Sequence, residues 1–172
     1  MFKMASLLPL LQDLLPMIMP SSVHIARARD IVESPADEPR GVRVVQREAI
    51  VGRTDKMCAT VTVVKPQSST TVHHHGEQDA IIYVASGSGF LLTSPDDDAS
   101  APKRHALARG DFAFVPPWTE HQAVNEAQDE DLVWVVVRSG PQPVEVALTD
   151  WGGAQAKEGQ QGGPSEEKQS SL

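Results

Sequence analysis

The stretch Val72-His73-His74-His75-Gly76-Glu77-Gln78-Asp79 opens a β-branched run that ends at a glycine turn, residues 87–89. Alternate side chains of an extended strand share a face, so His73 and His75 point the same way. At a rise of about 3.3–3.4 Å per residue their Cα atoms lie about 7 Å apart, and the two imidazoles can converge on one ion. His74 points to the opposite face, although a β-bulge here would exchange the roles. A solvated polar strand end is the alternative interpretation.

A second segment, residues 110–125, adds a third histidine. It reads Gly-Asp-Phe-Ala-Phe-Val-Pro-Pro-Trp-Thr-Glu-His-Gln-Ala-Val-Asn, so a strand leaves a glycine turn, stops at a double proline and is followed by a strand that opens with His121. Three neutral imidazoles suit transition metals better than Mg²⁺ or Ca²⁺, and three protein ligands leave positions open for water, dioxygen or substrate. Iron, zinc, copper and nickel are the candidates at this point.

The chain around these segments has the pattern of an all-β domain. Between residues 42 and 150 β-branched residues dominate, and turn-forming residues recur at intervals of about 8–12 residues, which is typical of a sandwich or barrel. We predict a meander of antiparallel strands at 42–50, 57–64, 70–75, 80–86, 90–93, 105–108, 111–115, 121–125, 132–138 and 144–148. An N-terminal extension (1–41) precedes the barrel domain (42–151), and a disordered, polar tail (152–172) follows it.

Length and charge narrow the classes of function. The chain has 172 residues, enough for one ordinary domain, and 23 acidic against 15 basic side chains give a net charge of −8. Nucleic-acid binding normally requires a basic patch, so we expect no nucleic-acid partner. The single cysteine, Cys58, excludes an internal disulfide and a cysteine-rich zinc module, and we expect it to be a small buried residue.

The N-terminal apolar stretch, residues 7–19, is interrupted by two prolines and Asp13. It is shorter than the roughly 20 apolar residues that span a bilayer, so no membrane helix is predicted. The same interruptions and a poor cleavage pattern argue against export. We therefore expect a cytoplasmic protein.

The second histidine segment resembles a motif of the cupin superfamily, G-x5-P-x-G-x2-H-x3-N. Four positions match, namely Gly110, Pro116, His121 and Asn125, whereas Trp118 stands where the family has glycine. The resemblance covers roughly residues 42–150. It implies a cupin-type double-stranded β-helix, a jelly-roll barrel of roughly six to eight strands, with the metal inside the barrel mouth.

The first histidine segment resembles the other cupin motif, G-x5-H-x-H-x3/4-E-x6-G, with two departures. His73, His75 and Gly87 fit, but Gln67 replaces the first glycine and Ala80 stands at the carboxylate position. The resemblance then leaves three alternatives open. One is a bare three-histidine site, as in the thiol dioxygenase and β-diketone dioxygenase branches, which favours an anionic or enolisable substrate. The others are a replacement ligand from the adjacent loop, Glu77 or Gln78, and a barrel without metal.

Several stretches look like those of small single-domain fungal cupins from secondary-metabolite pathways, particularly those making salicylaldehyde-type polyketides. They are His-His-His-Gly-Glu-Gln-Asp (73–79), Glu-His-Gln-Ala-Val-Asn-Glu (120–126), Val-Trp-Val-Val-Val-Arg-Ser-Gly (133–140) and Asp-Trp-Gly (150–152). Such proteins are described as cupin-domain oxidoreductases. The resemblance implies a metal-dependent oxidoreductase acting on a small aromatic or polyketide-derived molecule. The alternatives are a redox-neutral cyclase, isomerase or dehydratase with Glu77 as acid or base, and a non-catalytic small-molecule-binding barrel.

Further residues near the motifs are candidates for the site. Tyr83 is a candidate proton donor, with simple packing as its alternative. Trp118, Phe112 and Phe114 are candidates for an apolar substrate mouth, with the core as their alternative. We expect Glu120 to be a rim charge that faces away from the metal.

Two further expectations concern packing and assembly. We expect Met57 and residues 132–137 to be core. Cupins commonly dimerise through sheet edges, so we also expect a homodimer, whose edges the N-terminal segment could cover.

Overall fold

Two antiparallel β-sheets make up most of the part of the chain that the structure describes. The computed structural model describes residues 22–31, 43–95 and 101–156. Within these ranges lie a short helix, α1 (Ala28–Ile31), and eleven strands: β1 (Val44–Ile50), β2 (Met57–Val64), β3 (Ser68–Ser69), β4 (His73–His74), β5 (Ala80–Ser86), β6 (Ser88–Thr93), β7 (Lys103–Ala108), β8 (Phe112–Val115), β9 (His121–Asn125), β10 (Leu132–Ser139) and β11 (Val146–Ala147). The prediction of an all-β domain is confirmed.

The strand order is that of a double-stranded β-helix. One sheet has the order β1-β2-β10-β5-β8 and the other β11-β4-β9-β6-β7, with β3 paired to β9. Every pairing of these strands is antiparallel, as predicted. The predicted meander is wrong, because β2 pairs with the distant β10 and β4 with the distant β9. Local sequence patterns identify strands, whereas partners that lie far apart along the chain are set by the jelly-roll winding.

Only residues 73–74 of the predicted strand at 70–75 form a strand, β4, while β3 lies before the predicted range at 68–69. The interruption occurs at Thr70, whose side-chain hydroxyl replaces a backbone carbonyl as the hydrogen-bond acceptor from the neighbouring strand. The Ala123 N–H donates to the Thr70 hydroxyl at 2.9 Å, and the Thr70 N–H donates to the Ala123 carbonyl at 3.0 Å. Such side-chain bonds of threonine compete with regular pairing, so the chain leaves the ladder before His73.

The core lies between the two sheets. Its buried residues are Val64, Ala80, Ile82, Val84, Leu91, Val115, Ala123, Leu132, Trp134 and Val136. Burying one such aliphatic or aromatic side chain contributes about 1.5–3 kcal/mol. Cys58 is buried with a free thiol, as predicted. Met57, predicted as core, is 53% exposed because it lies at the first position of β2.

Regular backbone pairing continues beyond the predicted C-terminal boundary of the barrel domain. Leu148 forms a β-bridge with Gln155, and the Ala156 N–H donates to the Ala147 carbonyl at 2.8 Å. Residues 152–156 therefore turn back onto β11, although they were assigned to the disordered tail. The rest of that tail, 157–172, lies outside the described residues, as do 1–21 and 32–41 of the N-terminal extension. No helix in the described ranges is long and apolar enough to cross a bilayer. The homodimer expected from the sequence stays a prediction.

Candidate metal centre

The three motif histidines meet inside the barrel, as predicted. His73 and His121 are cross-strand partners in β4 and β9, and His75 follows two residues after His73. The ring centroids lie 4.3 Å apart for His73 and His121, 4.5 Å for His75 and His121, and 5.4 Å for His73 and His75. One nitrogen from each ring lies within 4.8 Å of the others. All three residues are buried.

His74 faces the other way, and no bulge exchanges the roles. Its ring lies 5.4 Å from the ring of Trp118, and its Nδ1 accepts the Gly76 N–H at 3.0 Å. The period-two prediction for this strand is therefore confirmed.

The backbone orients two of the three imidazoles. Nδ1 of His73 lies 2.9 Å from the Thr71 carbonyl oxygen, and Nδ1 of His121 lies 2.8 Å from the Thr119 carbonyl oxygen. A carbonyl only accepts, so each Nδ1 carries the proton and donates it. The Nε2 lone pairs of both rings are then available to a metal, in the arrangement that protein metal sites commonly use.

His75 has different surroundings. Arg138 Nη2 donates to His75 Nε2 at 3.2 Å, while His75 Nδ1 is buried and has no hydrogen-bond partner. The ring is therefore the Nδ1-protonated tautomer in this arrangement. An orphaned polar atom in a buried histidine cluster indicates a site built for a further group.

Burial keeps the three imidazoles neutral. Loss of solvation lowers the pKa of His73 to about 4 and the pKa of His121 to about 3. For His75, burial and the neighbouring positive charge of Arg138 lower the pKa to about 2. The neutral form is the one that binds metals, so the donor set fits a divalent transition metal at neutral pH.

The carboxylate position of the cupin motif holds no carboxylate. Ala80 is buried in β5, and its cross-strand partner in β10 is Arg138. Within the described ranges, the metal-binding cluster contains these three histidines and no Asp or Glu.

A small cavity of about 40 Å³ lies beside the imidazoles. It has room for about two or three water molecules. Its walls are formed by Val44, Gln46, Thr62, Thr70, His73, His75, Ile82, His121, Ala123, Trp134, Val136, Arg138 and Glu145. A group of a few non-hydrogen atoms fits in this volume.

Arg138 and Glu145 are site residues that the sequence analysis missed. Arg138 is 2% exposed, and its Nη1 donates to the Thr60 hydroxyl at 2.9 Å. Its Nη2 lies 3.6 Å from Glu145 Oε2. Along β10 every second residue is buried, and Arg138 belongs to the same alternating set as Trp134 and Val136. This alternation is the sequence signal that would have placed Arg138 inside the barrel.

The loop residues proposed as replacement ligands do not reach the metal centre. Both polar ends of the Gln78 amide are occupied: its nitrogen donates to the Ser139 and Gln142 carbonyls, and its oxygen accepts the Val144 N–H at 2.8 Å. This amide fixes the segment that leads to Glu145. Glu77 is exposed.

Trp118 and Glu77 lie on an outer groove of about 760 Å³ that shares no residue with the histidine cavity. The double-proline turn aims the indole at His74, on the outside of the barrel. Trp118 therefore does not line the mouth of the metal site. Glu120 faces away as expected, and its carboxylate accepts the Gly152 N–H at 2.7 Å.

Tyr83, Phe112 and Phe114 also lie outside the cavity. Ile82 lines the cavity, so its neighbour Tyr83 projects from the opposite face of β5. The Tyr83 ring packs 4.7 Å from Phe112, and Phe112 and Phe114 are 68% and 62% exposed. These residues form an apolar patch on the outer face of the sheet, so neither a proton donor nor a substrate wall is found among them.

The two glycine departures from the cupin motifs keep the glycine backbone conformation. Gln67 has φ of 54° and Trp118 has φ of 60°, and no other non-glycine residue in the described ranges has positive φ. This left-handed region is costly for a residue with a Cβ atom. Contacts offset the cost: the Trp118 N–H donates to the Gly76 carbonyl at 2.7 Å, and the Gln67 side chain donates to the Ala127 carbonyl at 3.1 Å.

Comparisons with known proteins agree with this architecture. Residues 60–138 match the family described as "Cupin domain". A comparison with curated proteins gives no match. Among solved structures, the chain is similar to a conserved double-stranded β-helix protein from Klebsiella pneumoniae, with 17% identity and a TM-score of 0.57 over 80% of this chain and 100% of the other.

Two further structures are similar. An RmlC-like cupin from Shewanella frigidimarina shares 20% identity, with a TM-score of 0.51 over 71% of this chain and 95% of the other. The polyketide cyclase RemF from Streptomyces resistomycificus shares 25% identity, with a TM-score of 0.50 over 77% of this chain and 89% of the other. Together with the strand order, these similarities show a cupin-type double-stranded β-helix, within which residues 60–138 match the cupin-domain family.

Proposed function

We propose that the protein is a mononuclear metal-dependent cupin enzyme of oxidoreductase type. His73, His75 and His121 would hold a divalent transition metal, with Fe(II) favoured over zinc, manganese or nickel. The observation that carries the proposal is the set of three buried, neutral imidazoles with ligand nitrogens within 4.8 Å of one another. The resemblance to fungal secondary-metabolite cupins supports a small aromatic or polyketide-derived substrate.

The metal, when bound, supplies Lewis acidity and, as Fe(II), the ability to react with dioxygen. The chain supplies orientation and exclusion of bulk water. The Thr71 and Thr119 carbonyls hold two ligand rings, and the apolar walls at Ile82 and Trp134 limit access of water to the cavity. The cavity of about 40 Å³ selects the oxygen-bearing end of a substrate by size.

A redox-neutral cyclisation, isomerisation or dehydration is the second candidate. Two observations favour it, namely the similarity to the polyketide cyclase RemF and the presence of Glu145 at the cavity wall. Within the described residues Glu145 is the carboxylate that lines the cavity, so it takes the acid or base role that the sequence analysis gave to Glu77.

Anaerobic metal reconstitution separates the candidates. The protein is loaded with Fe(II) or Zn(II) and incubated with acetylacetone or salicylaldehyde as probes. Oxygen consumption and product formation that require Fe(II) support the oxidoreductase, whereas conversion by the zinc form without oxygen supports the second candidate. Probe binding without conversion would support a non-catalytic barrel, and failure to bind either metal would contradict both enzymatic candidates.

Replacing one ligand tests the centre directly. In His121→Ala we expect metal affinity to fall by roughly 100-fold or more, because loss of a ligand costs at least as much as loss of its supporting contacts. A competing chromogenic chelator measures the affinity. His74→Ala is the matched control, because the same substitution on the outer face should leave metal affinity within about twofold. Equal losses in the two variants would contradict the assignment.

A further inference from the structure

The cavity beside the histidines is rich in unpaired hydrogen-bond donors. Three buried side-chain atoms in the described residues lack a partner: His75 Nδ1, Trp134 Nε1 and Arg138 Nε. All three residues line the same cavity. The indole and guanidinium nitrogens are always donors, and His75 Nδ1 is one because its Nε2 accepts from Arg138. Native structures rarely leave buried donors unpaired, so this cluster indicates a missing acceptor.

The hydrogen-bond acceptors around Arg138 are too few to pair all of its N–H groups. Its side chain is 2% exposed, and Glu145 Oε2 lies 3.6 Å from Nη2, beyond an ordinary hydrogen bond. In the orientation that satisfies both of its amide atoms, Gln46 accepts from Nη2 at 3.3 Å and donates to Glu145 at 3.2 Å. Nε of Arg138 still has no partner.

Metal binding would increase the number of N–H groups in the cavity that lack an acceptor. The His75 Nε2 lone pair accepts the Arg138 Nη2 hydrogen bond, so a metal that takes this lone pair releases another Arg138 N–H. The residue opposite Arg138 in β5 is Ala80, so no carboxylate there offsets the charge of the ion or of the guanidinium. A loaded centre would therefore place a divalent ion beside the Arg138 guanidinium, with Glu145 as the carboxylate on the cavity wall, and would leave several donors free.

We propose that this cavity binds the carboxylate or enolate oxygens of an anionic substrate, with Arg138 as the specificity-determining residue and the Trp134 indole as a second donor. The proposal rests on the proposed function and names its substrate class. An anion offsets the buried charge and accepts the free N–H groups, whereas a neutral molecule of the same shape does neither. The volume of the cavity suits a carboxylate group, whose attached carbon skeleton extends outward.

Titration of the Co(II)-loaded protein with acetate and acetamide tests the proposal. The two probes have nearly the same shape and differ in charge, and the visible spectrum of Co(II) reports binding independently of activity. We expect acetate to bind at least about tenfold more tightly than acetamide. Acetate should also raise the affinity of the unmodified protein for Co(II).

Variants assign the preference to residues. Arg138→Met should weaken acetate binding by about tenfold or more, and Trp134→Phe, which removes one N–H and keeps an aromatic ring, by about threefold. Arg138→Lys restores the charge without the forked donors and should fall between wild type and Arg138→Met. Arg104→Met is the matched control, because this half-exposed arginine in β7 pairs with Glu126 and lies away from the cavity. It should bind acetate within twofold of wild type.

Two results would overturn the proposal in a protein that binds Co(II): equal binding of acetate and acetamide, or acetate affinity in folded Arg138→Lys that equals wild type. A protein that binds no Co(II) contradicts the proposed function instead. Acetate titration of the metal-free protein, followed by tryptophan fluorescence, then decides the inference. A response that Arg138→Lys diminishes supports the anion site, whereas no response, or a response that Arg138→Lys leaves unchanged, overturns it.

Discussion

The two faces of the five-stranded sheet carry different side chains although the same strands supply both. On β5, Ile82 faces the histidine cavity, whereas Ile81 and Tyr83 face outward. On the inner face the apolar side chains surround polar ones, including Arg138 and Thr60, which is hydrogen-bonded to it. The outer face carries the aromatic patch of β5 and β8 and no part of the metal centre.

This difference shows that aromatic content does not identify the core of a small barrel. Phe112 and Phe114 are among the more hydrophobic residues of the chain, yet both are more than half exposed. The buried face is instead distinguished by polar side chains that lie out of contact with water. They are the neutral histidines and the guanidinium of Arg138, which is paired with Glu145. Four predictions test this contrast, beginning with the largest expected effect.

Acid should destabilise the metal-free protein through its inner face. The folded-state pKa values of His73, His75 and His121 lie at about 4, 2 and 3, below the ordinary value of 6.5. Below pH 6.5 the unfolded chain therefore binds protons that the folded chain does not. Each histidine lowers the free energy of unfolding by up to about 1.4 kcal/mol per pH unit. Urea unfolding at pH 7, 6 and 5 measures the slope, which should be shallower in His73→Gln; an unchanged slope in that variant would contradict the burial argument.

Adjacent isoleucines provide a direct comparison of the two faces. Ile82→Ala removes a fully buried side chain and should lower the free energy of unfolding by about 2–5 kcal/mol. Ile81→Ala makes the same chemical change at a side chain that is 48% exposed, and should cost less than about 1 kcal/mol. Chemical denaturation of the two variants measures the difference. Similar losses would mean that the outer face is covered in solution.

Backbone strain at Trp118 is the third test. Its φ of 60° favours glycine, so Trp118→Gly should be more stable than Trp118→Ala by about 1 kcal/mol, because alanine keeps the left-handed cost while both variants lose the indole. Thermal and urea unfolding give the comparison. Metal affinity should be the same in both variants, since Trp118 does not line the cavity. A more stable alanine variant would contradict the strain.

The smallest effect is expected on the aromatic patch. Phe112→Thr keeps β-propensity and removes an exposed ring, so the free energy of unfolding should change by less than about 1 kcal/mol. Binding of a hydrophobic dye should fall, because the patch becomes smaller. Light scattering of wild type and variant reports whether the predicted homodimer uses this face. A loss of more than about 2 kcal/mol in a monomeric protein would mean that the ring is packed.

Local periodicity was sufficient for the core of the metal centre. A period of two places His73 and His75 on one face and His74 on the other, and the glycine-to-proline spacing of the second segment identifies His121. The assignment of His73, His74 and His75 depends on geometry within a single strand. The meeting of His121 with them depends on the pairing of β4 with β9, for which the resemblance to the cupin motif was the signal.

The errors arose where the assignment required partners. Both faces of β5 and β8 are apolar, so alternation alone cannot say whether Tyr83 or Ile82 faces inward. Trp118 was misplaced because a double-proline turn directs its side chain in a way that strand geometry does not predict. Arg138 and Glu145 lie outside the cupin motifs, and their proximity to the histidines results from the pairing of β10 with β5 and of β11 with β4.

The hydrogen bonds of His73 and His121 have a consequence for adjusting the chemistry of the centre. Each ring donates to a main-chain carbonyl two residues earlier, at Thr71 or Thr119. No single side-chain replacement elsewhere removes these bonds, so for the proposed metal the donor strength of these two rings would be set by the backbone. Point substitutions that adjust the properties of the proposed metal would then act mainly at the third ring, His75, whose polar neighbour is the side chain of Arg138.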